Sequence, residues 1–160
     1  MLAGMTAITV NAARHDDIGP LVASVAALFR EDGGRHDSLM DQDWPAREGA
    51  AYYSDLLNDE TCLVVLARDR GRVIGHLIGK LSRPGSLWTR RIAVLESMRV
   101  APASRRAGVG SLLVRHFFAW ARDRGAHEAS VTAYAANDPA QRFYERHGFA
   151  PKSVTSRTTL

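Results

Sequence analysis

Cysteine occurs once in this 160-residue chain, at Cys62 inside an apolar run, so no disulfide can form within the chain. The six histidines, His15, His36, His76, His116, His127 and His147, are scattered without ligand spacing, and we expect no metal. No apolar run approaches the roughly 20 residues of a membrane helix. The opening MLAGMTAITV lacks a basic region followed by a long apolar block, so no secretory leader and no membrane partner are expected. A reducing, cytoplasmic compartment suits these absences. Lysine is scarce too. Lys80 and Lys152 are the two among 21 basic residues, and the arginine that replaces it offers a planar fork suited to phosphate.

What is present is a soluble composition, 46% hydrophobic and 24% charged, at a length that supports one domain over residues 1–160 with a single substantial core. The net charge of +4 is unevenly spread. Residues 31–60 hold nine acidic residues against Arg35 and Arg47, a net −7, which leaves +11 for the rest. That split suits an enzyme with an anionic cofactor and a cationic substrate. A basic nucleic-acid binder ranks last, since no helix-turn-helix or aromatic stacking motif accompanies the charge.

The apolar periodicity predicts a first strand at Ala7–Asn11 and an amphipathic helix from Asp16–Asp17 that ends at Glu31-Asp32-Gly33-Gly34. A second helix starts at Pro45 and runs to about Asn58. Cys62–Ala67 and Arg72–Leu81 read as a hairpin, Pro84-Gly85 as a turn, and Arg91–Val100 as a central strand. A helix follows to Gly125, with a strand at Ala129–Ala133, a short helix from Asn137 to Gly148, and a last strand to about Thr159. The expected architecture is α/β: one mixed sheet of six or seven strands flanked by four helices, antiparallel in its first half.

The chemistry concentrates after the central strand. Ala101-Pro102 stops that strand, Arg105-Arg106 supplies charge, and Gly108-Val109-Gly110 opens the next helix at Ser111. Glycines let a ligand approach the backbone, and a helix start offers unpaired N–H groups and a positive dipole end to phosphate oxygens. A dinucleotide fingerprint would need a third glycine where Arg105 stands. A triphosphate loop would need Gly-Lys-Ser/Thr where Gly110-Ser111-Leu112 stands.

Three patterns in register, Arg105-x-x-Gly108-x-Gly110, Asn137-x-x-Ala140 and Phe143-Tyr144 before Gly148-Phe149, resemble the GCN5-related N-acetyltransferases, the GNAT family. The resemblance covers about residues 92–149 and implies the acyl-CoA N-acyltransferase fold. It also implies acetyl-CoA as cofactor, with its pyrophosphate over Arg106, Ala107, Gly108, Val109, Gly110 and Ser111, and charge added by Arg105 or Arg106. The backbone of Met98, Arg99 and Val100 would hold the pantetheine arm, with Asn137 as helix cap and further contact.

Glu96 is the candidate base: the two-residue strand period would put it on one face with Val94, Met98 and Val100, and a carboxylate can take the proton an ammonium must lose before attack. Tyr144 is the candidate acid, able to protonate the departing thiolate. Asp37, Asp41, Asp43 and Glu48, with Trp44 and Tyr52 or Tyr53 as walls, could hold a cationic amine.

The expected function is direct acetyl transfer, in a ternary complex, to a primary amine of a small cationic molecule. The alternatives are protein lysine or N-terminal acetylation, or an acyl-CoA-binding module without turnover. Eleven residues follow Phe149, room for one strand where many family members have two. A homodimer could complete the wall on the acceptor side.

Overall fold

A computed structural model describes residues 8–83, 85 and 87–160. Ala7 of the expected first strand and Pro84 of the expected turn lie outside the described residues. The chain runs β1 (Thr9–Ala12), α1 (Ile18–Leu28), a one-turn α2 (Gly34–His36), α3 (Trp44–Leu57), β2 (Cys62–Asp69), β3 (Arg72–Leu81) and β4 (Ile92–Val100). It continues through α4 (Val109–Asp123), β5 (Glu128–Val131) and α5 (Asp138–Arg146).

Among the described residues the sheet has five strands in sequence order, not the six or seven expected. β1 to β4 pair antiparallel and β5 lies parallel to β4. The missing strand is the last one. Residues 150–160 are exposed and join no sheet, because β-branched residues such as Val154, Thr155, Thr158 and Thr159 make a strand only where a partner edge receives them. The β2–β3 hairpin closes on Arg70 and Gly71, with φ of 49° and 79°, the pair of left-handed positions that a two-residue turn matched to strand twist requires.

Each face of the sheet buries its own cluster. Leu113, Val114, Phe117 and Ala121 of α4 pack on Val65, Leu77, Ala93 and Leu95. On the other face Leu21 and Val25 of α1 and Tyr53 and Leu56 of α3 pack on Val64, Leu66 and Ile78. Two helix layers thus sandwich the sheet, each strand feeding alternate residues to opposite faces.

Two local departures shape the site. The first is at Gly33-Gly34, which ends the first helix in the sequence reading. The chain instead stays helical through a π turn (Phe29–Gly33) into α2. Both glycines have ordinary helical dihedrals; their use is steric. A Cβ on Gly33 would lie 2.0 Å from Met40 Sδ, and one on Gly34 would lie 2.7 Å from the Gln42 side chain.

The second is a bulge in β4. Ile78 pairs with Ser97 but Gly79 pairs with Leu95, so Glu96 has no opposite residue. An extra residue reverses the alternation beyond it. Met98 and Val100 therefore pack with Ala93 and Leu95 on the α4 face, while Glu96 and Ser97 both turn toward the α1–α3 face. The expected common face of Val94, Glu96, Met98 and Val100 is corrected accordingly.

Candidate active site

The phosphate-loop candidate is built as its residues require. Arg106 and Gly108 both sit left-handed, at φ 63° and 79°, and turns in which such residues recur point neighbouring N–H groups into one concavity. Gly108 is the N-cap of α4, and the first helical bond runs from Leu112 N–H to Gly108 O at 3.0 Å. The N–H groups of Val109, Gly110 and Ser111 precede that bond and have no intrahelical acceptor. Gly110 is required for packing. A Cβ there would meet the Phe143 ring at 3.0 Å, so its absence lets α5 close on the loop. His147 locks that contact: Nε2 lies 3.0 Å from Ser111 Oγ, and Nδ1 lies 2.8 Å from Phe143 O.

The two loop arginines differ. Arg105 Nε donates to Val100 O at 2.9 Å, and its Nη2 pairs with Glu31 at 2.9 Å. Arg99 makes a forked contact to the same carboxylate at 2.7 and 3.2 Å. Arg106 forms no ion pair among the described residues, and its fork stands open beside the loop.

β4 pairs with β5 only through Ile92–Leu95. From Glu96 to Val100 one edge of β4 has no strand partner among the described residues. Ala101 N–H bonds Ile74 O of β3, so by the two-residue alternation of the ladder Arg99 turns its backbone to β3, while Met98 and Val100 turn theirs to the free edge, where an extended ligand could meet them. In the fork where β4 and β5 part lies a cleft of about 620 Å³. Glu96 and Ser97 line it from β4, Thr132, Ala133 and Tyr134 from the β5 side, and Phe29, Asp32, Trp44, Tyr52 and Tyr53 from the helices. The aromatic wall is continuous: Phe29 stacks on Trp44 at 6.1 Å, and Trp44 meets Tyr52 edge-on at 5.3 Å.

Two carboxylates reach the cleft. Glu96 Oε2 lies 3.1 Å from Lys80 Nζ, which also donates to the Tyr52 hydroxyl at 2.8 Å. Asp32 Oδ1 accepts from Asn137 Nδ2 at 2.8 Å, while Asn137 Oδ1 caps α5 through Ala140 N–H. Both ends of the Asn137 amide are thus engaged. Tyr144 lies between Phe143 and Phe149, edge-on to each. Its burial, and then the charge of Asp32, pushes the phenol up to about 12, so it is protonated throughout the neutral range.

Of the residues singled out in the sequence, Glu96, Trp44 and Tyr52 meet in this cleft, and Tyr53 joins them. Asp41 and Asp43 do not line it. Asp41 pairs with Arg47 at 2.6 Å on the exposed side of the α3 start, and Asp37 pairs with Arg157 at 2.7 Å. The sequence reading missed Asp32, Lys80, Ser97, Tyr134 and Glu31 as site residues. It took His76 as structural or solvated. A signal existed for His76, a polar residue inside the apolar stretch Val73–Leu77; the others depend on contacts far apart in the chain. No group of three His, Cys, Asp or Glu able to hold a metal ion occurs among the described residues. No described helix is long and apolar enough to cross a membrane.

Comparison with known proteins bears on this geometry. The sequence pattern of the Acetyltransferase (GNAT) family matches residues 23–149. The chain belongs to the GNAT family. Its match to streptothricin acetyltransferase of Streptomyces lavendulae is 38% identical over 76 residues, 48% of this chain and 40% of that protein. The chain thus spans less than half of that relative. The fold recurs in the aminoglycoside N-acetyltransferase AAC(6')-Iy in complex with CoA, at TM-score 0.78 and 15% identity over the whole of both chains. It recurs also in a transcriptional regulator from Bacillus halodurans, at TM-score 0.77 and 23% identity over 96% of this chain and 100% of that one.

Proposed function

We propose that this GNAT protein transfers the acetyl group of acetyl-CoA directly to a primary amine of a small cationic molecule, with both bound at once. The observation that carries the reading is the fork between β4 and β5. It joins a backbone phosphate cradle to a cleft lined by aromatic rings and two carboxylates. Acetyl-CoA would supply an acetyl group already activated as a thioester. The N–H groups from Arg106 to Ser111, with the Arg106 fork, would hold its diphosphate, and the backbone of Met98 and Val100 would hold the arm along the free strand edge, while that of Arg99 stays bonded to β3. Asn137 contributes by fixing the start of α5, and so the placing of Tyr144.

Within the cleft, Asp32 and Glu96 attract a cationic acceptor, and the faces of Trp44 and Tyr52 favour its positive groups. Glu96 is the proton acceptor. An incoming ammonium displaces Lys80 from it, and loss of that proton frees the nitrogen lone pair. Tyr144, protonated at working pH, donates to the departing sulfur. Asp41 and Asp43 stand outside the cleft and act at most on approach of the acceptor.

Streptothricin and aminoglycoside acetyltransferases among the similar proteins support an amine of this kind. A second copy covering the outer edge of β5, which no described strand pairs, belongs to the same reading. A monomeric mass at micromolar concentration would exclude that part.

The test is a screen of amines, peptides and protein N-termini for thiol release from acetyl-CoA. Small polycationic amines should react, and Glu96→Gln should lower kcat about a hundredfold. Binding of acetyl-CoA without thiol release for any acceptor class would reduce the protein to a binding module. Failure of CoA and acetyl-CoA to bind the folded protein would end the proposal.

A further inference from the structure

Beneath the cleft, three polar side chains form a continuous hydrogen-bonded row. Ser24 of α1 places Oγ 2.6 Å from His76 Nδ1, and His76 Nε2 lies 2.9 Å from Ser97 Oγ. His76 is 0% exposed and Ser24 7%, whereas Ser97 lines the cleft beside Glu96. The row spans α1, β3 and β4, and it ends where the acceptor would sit.

The spacing would suit a base activating a serine nucleophile, but the surroundings forbid that use. Burial, with the charge of Arg99 added, pushes the imidazole down to about 3, and among the described residues both ring nitrogens meet serine hydroxyls rather than a carboxylate that would hold an imidazolium. The ring is neutral at working pH and carries one N–H.

Ser24 decides which nitrogen bears it. Among the described residues its hydroxyl has no partner other than His76, and a buried hydroxyl that cannot donate is costly. The fully satisfied row has Ser24 Oγ–H donating to Nδ1 and Nε2–H donating to Ser97 Oγ. The Ser97 hydrogen is then left to point into the cleft. Glu96 does not take that hydrogen: its carboxylate pairs with Lys80, and among the described residues Ser97 Oγ has no side-chain partner other than His76.

We propose that this row fixes Ser97 as a hydrogen-bond donor to an oxygen of the acceptor, so that the favoured acceptors are amino alcohols or amino amides over plain alkyl amines. The inference rests on the cleft being the acceptor site. His76 and Ser24 are positioning residues in it; Ser97 is the contact.

Diaminopropanol and diaminopropane, which differ by one hydroxyl, are the probes. The wild type should prefer diaminopropanol by about five- to tenfold in kcat/KM, mainly through KM. Ser97→Ala should bring the ratio of the two amines to about one. A merely structural loss would slow both amines alike and leave the wild-type ratio, which overturns the inference.

Nitrogen NMR of the labelled free protein gives a readout apart from activity. His76 should carry its proton on Nε2 and stay neutral from about pH 5 to pH 8, and Ser24→Ala should mix the two tautomers. A proton on Nδ1 in the wild type, or titration in that range, overturns the row. If neither amine releases thiol, the acceptor reading fails, and amine binding followed at the His76 signals decides the inference instead. Tighter binding of diaminopropanol upholds it, and equal affinities overturn it.

Discussion

Replacing Glu31 by glutamine would test how the two halves of the site are held together. Glu31 stands on the π turn that lines the cleft. Its carboxylate accepts from Arg99 Nε and Nη2 on β4 and from Arg105 Nη2 in the loop before α4. Hydrogen bonds to charged partners contribute about 1.5–3 kcal/mol where water is excluded. Here the side chains of Glu31 and Arg105 are 35% and 50% exposed, while Arg99 is 13% exposed. Solvent screening removes most of the Arg105 share and leaves Arg99 to dominate.

The net loss for Glu31→Gln at pH 7 is then about 1–2 kcal/mol, or a Tm lower by about 3–6 °C for a domain this size. The sign with pH follows from the Arg99 hydrogen bond, the largest cause that holds the Glu31 carboxyl below its usual range. A depressed acid stabilises the fold above its unfolded pKa, about 4.3, and the benefit is lost as pH falls through the lower folded value. Urea unfolding of the two proteins should therefore show a gap at pH 7 that narrows as pH falls below the ordinary carboxylate range. A gap under about 0.5 kcal/mol at pH 7, or one that persists unchanged into acid, refutes the reasoning.

Tyr144→Phe should lower kcat by about ten- to a hundredfold. Because burial pushes the wild-type phenol up to about 12, the wild-type pH–rate profile should show no alkaline fall from this group below about pH 10. Gly110→Ala drives a Cβ to 3.0 Å from the Phe143 ring. An overpacking cost of about 1–3 kcal/mol should appear in denaturation, and the displaced α5 in weaker acetyl-CoA binding by calorimetry. Asp32→Asn removes a cleft charge and weakens the anchor of Asn137, and should raise the acceptor KM about tenfold. Asp41→Asn breaks an exposed pair with Arg47 outside the cleft and should leave that KM within about twofold.

How legible each feature was in the sequence tracks how local its cause is. The turn before α4 could be read from residues 105–111 because its requirements lie within one turn: a left-handed position at Gly108, a helix start, and arginines alongside. The core faces of α1 and α4 were readable for the same reason, since a 3.6-residue period needs no knowledge of the partner. Gly33-Gly34 misled because glycine has two uses. The dihedral use would end a helix, but the steric use operates here, and it depends on Met40 and Gln42 folding back. The bulge at Glu96 belongs to the pairing of β3 with β4 and leaves no mark in the β4 segment alone.

The cleft proposed for the acceptor is assembled almost wholly from such long-range contacts. Lys80 meets Tyr52 across 28 positions, Ser24 meets His76 across 52, and Asp32 meets Asn137 across 105. That asymmetry has a functional reading of its own. A nucleotide diphosphate is the same ligand for every protein that uses it, and a short backbone device suffices to hold it. An acceptor must be told apart from others by differential contacts, and in the proposed reading these would come from side chains on α1, α3, β3 and β4 that converge on one fork. Substitutions at those positions could re-tailor the acceptor without touching the loop, which is why the loop named the family and the cleft has to name the substrate.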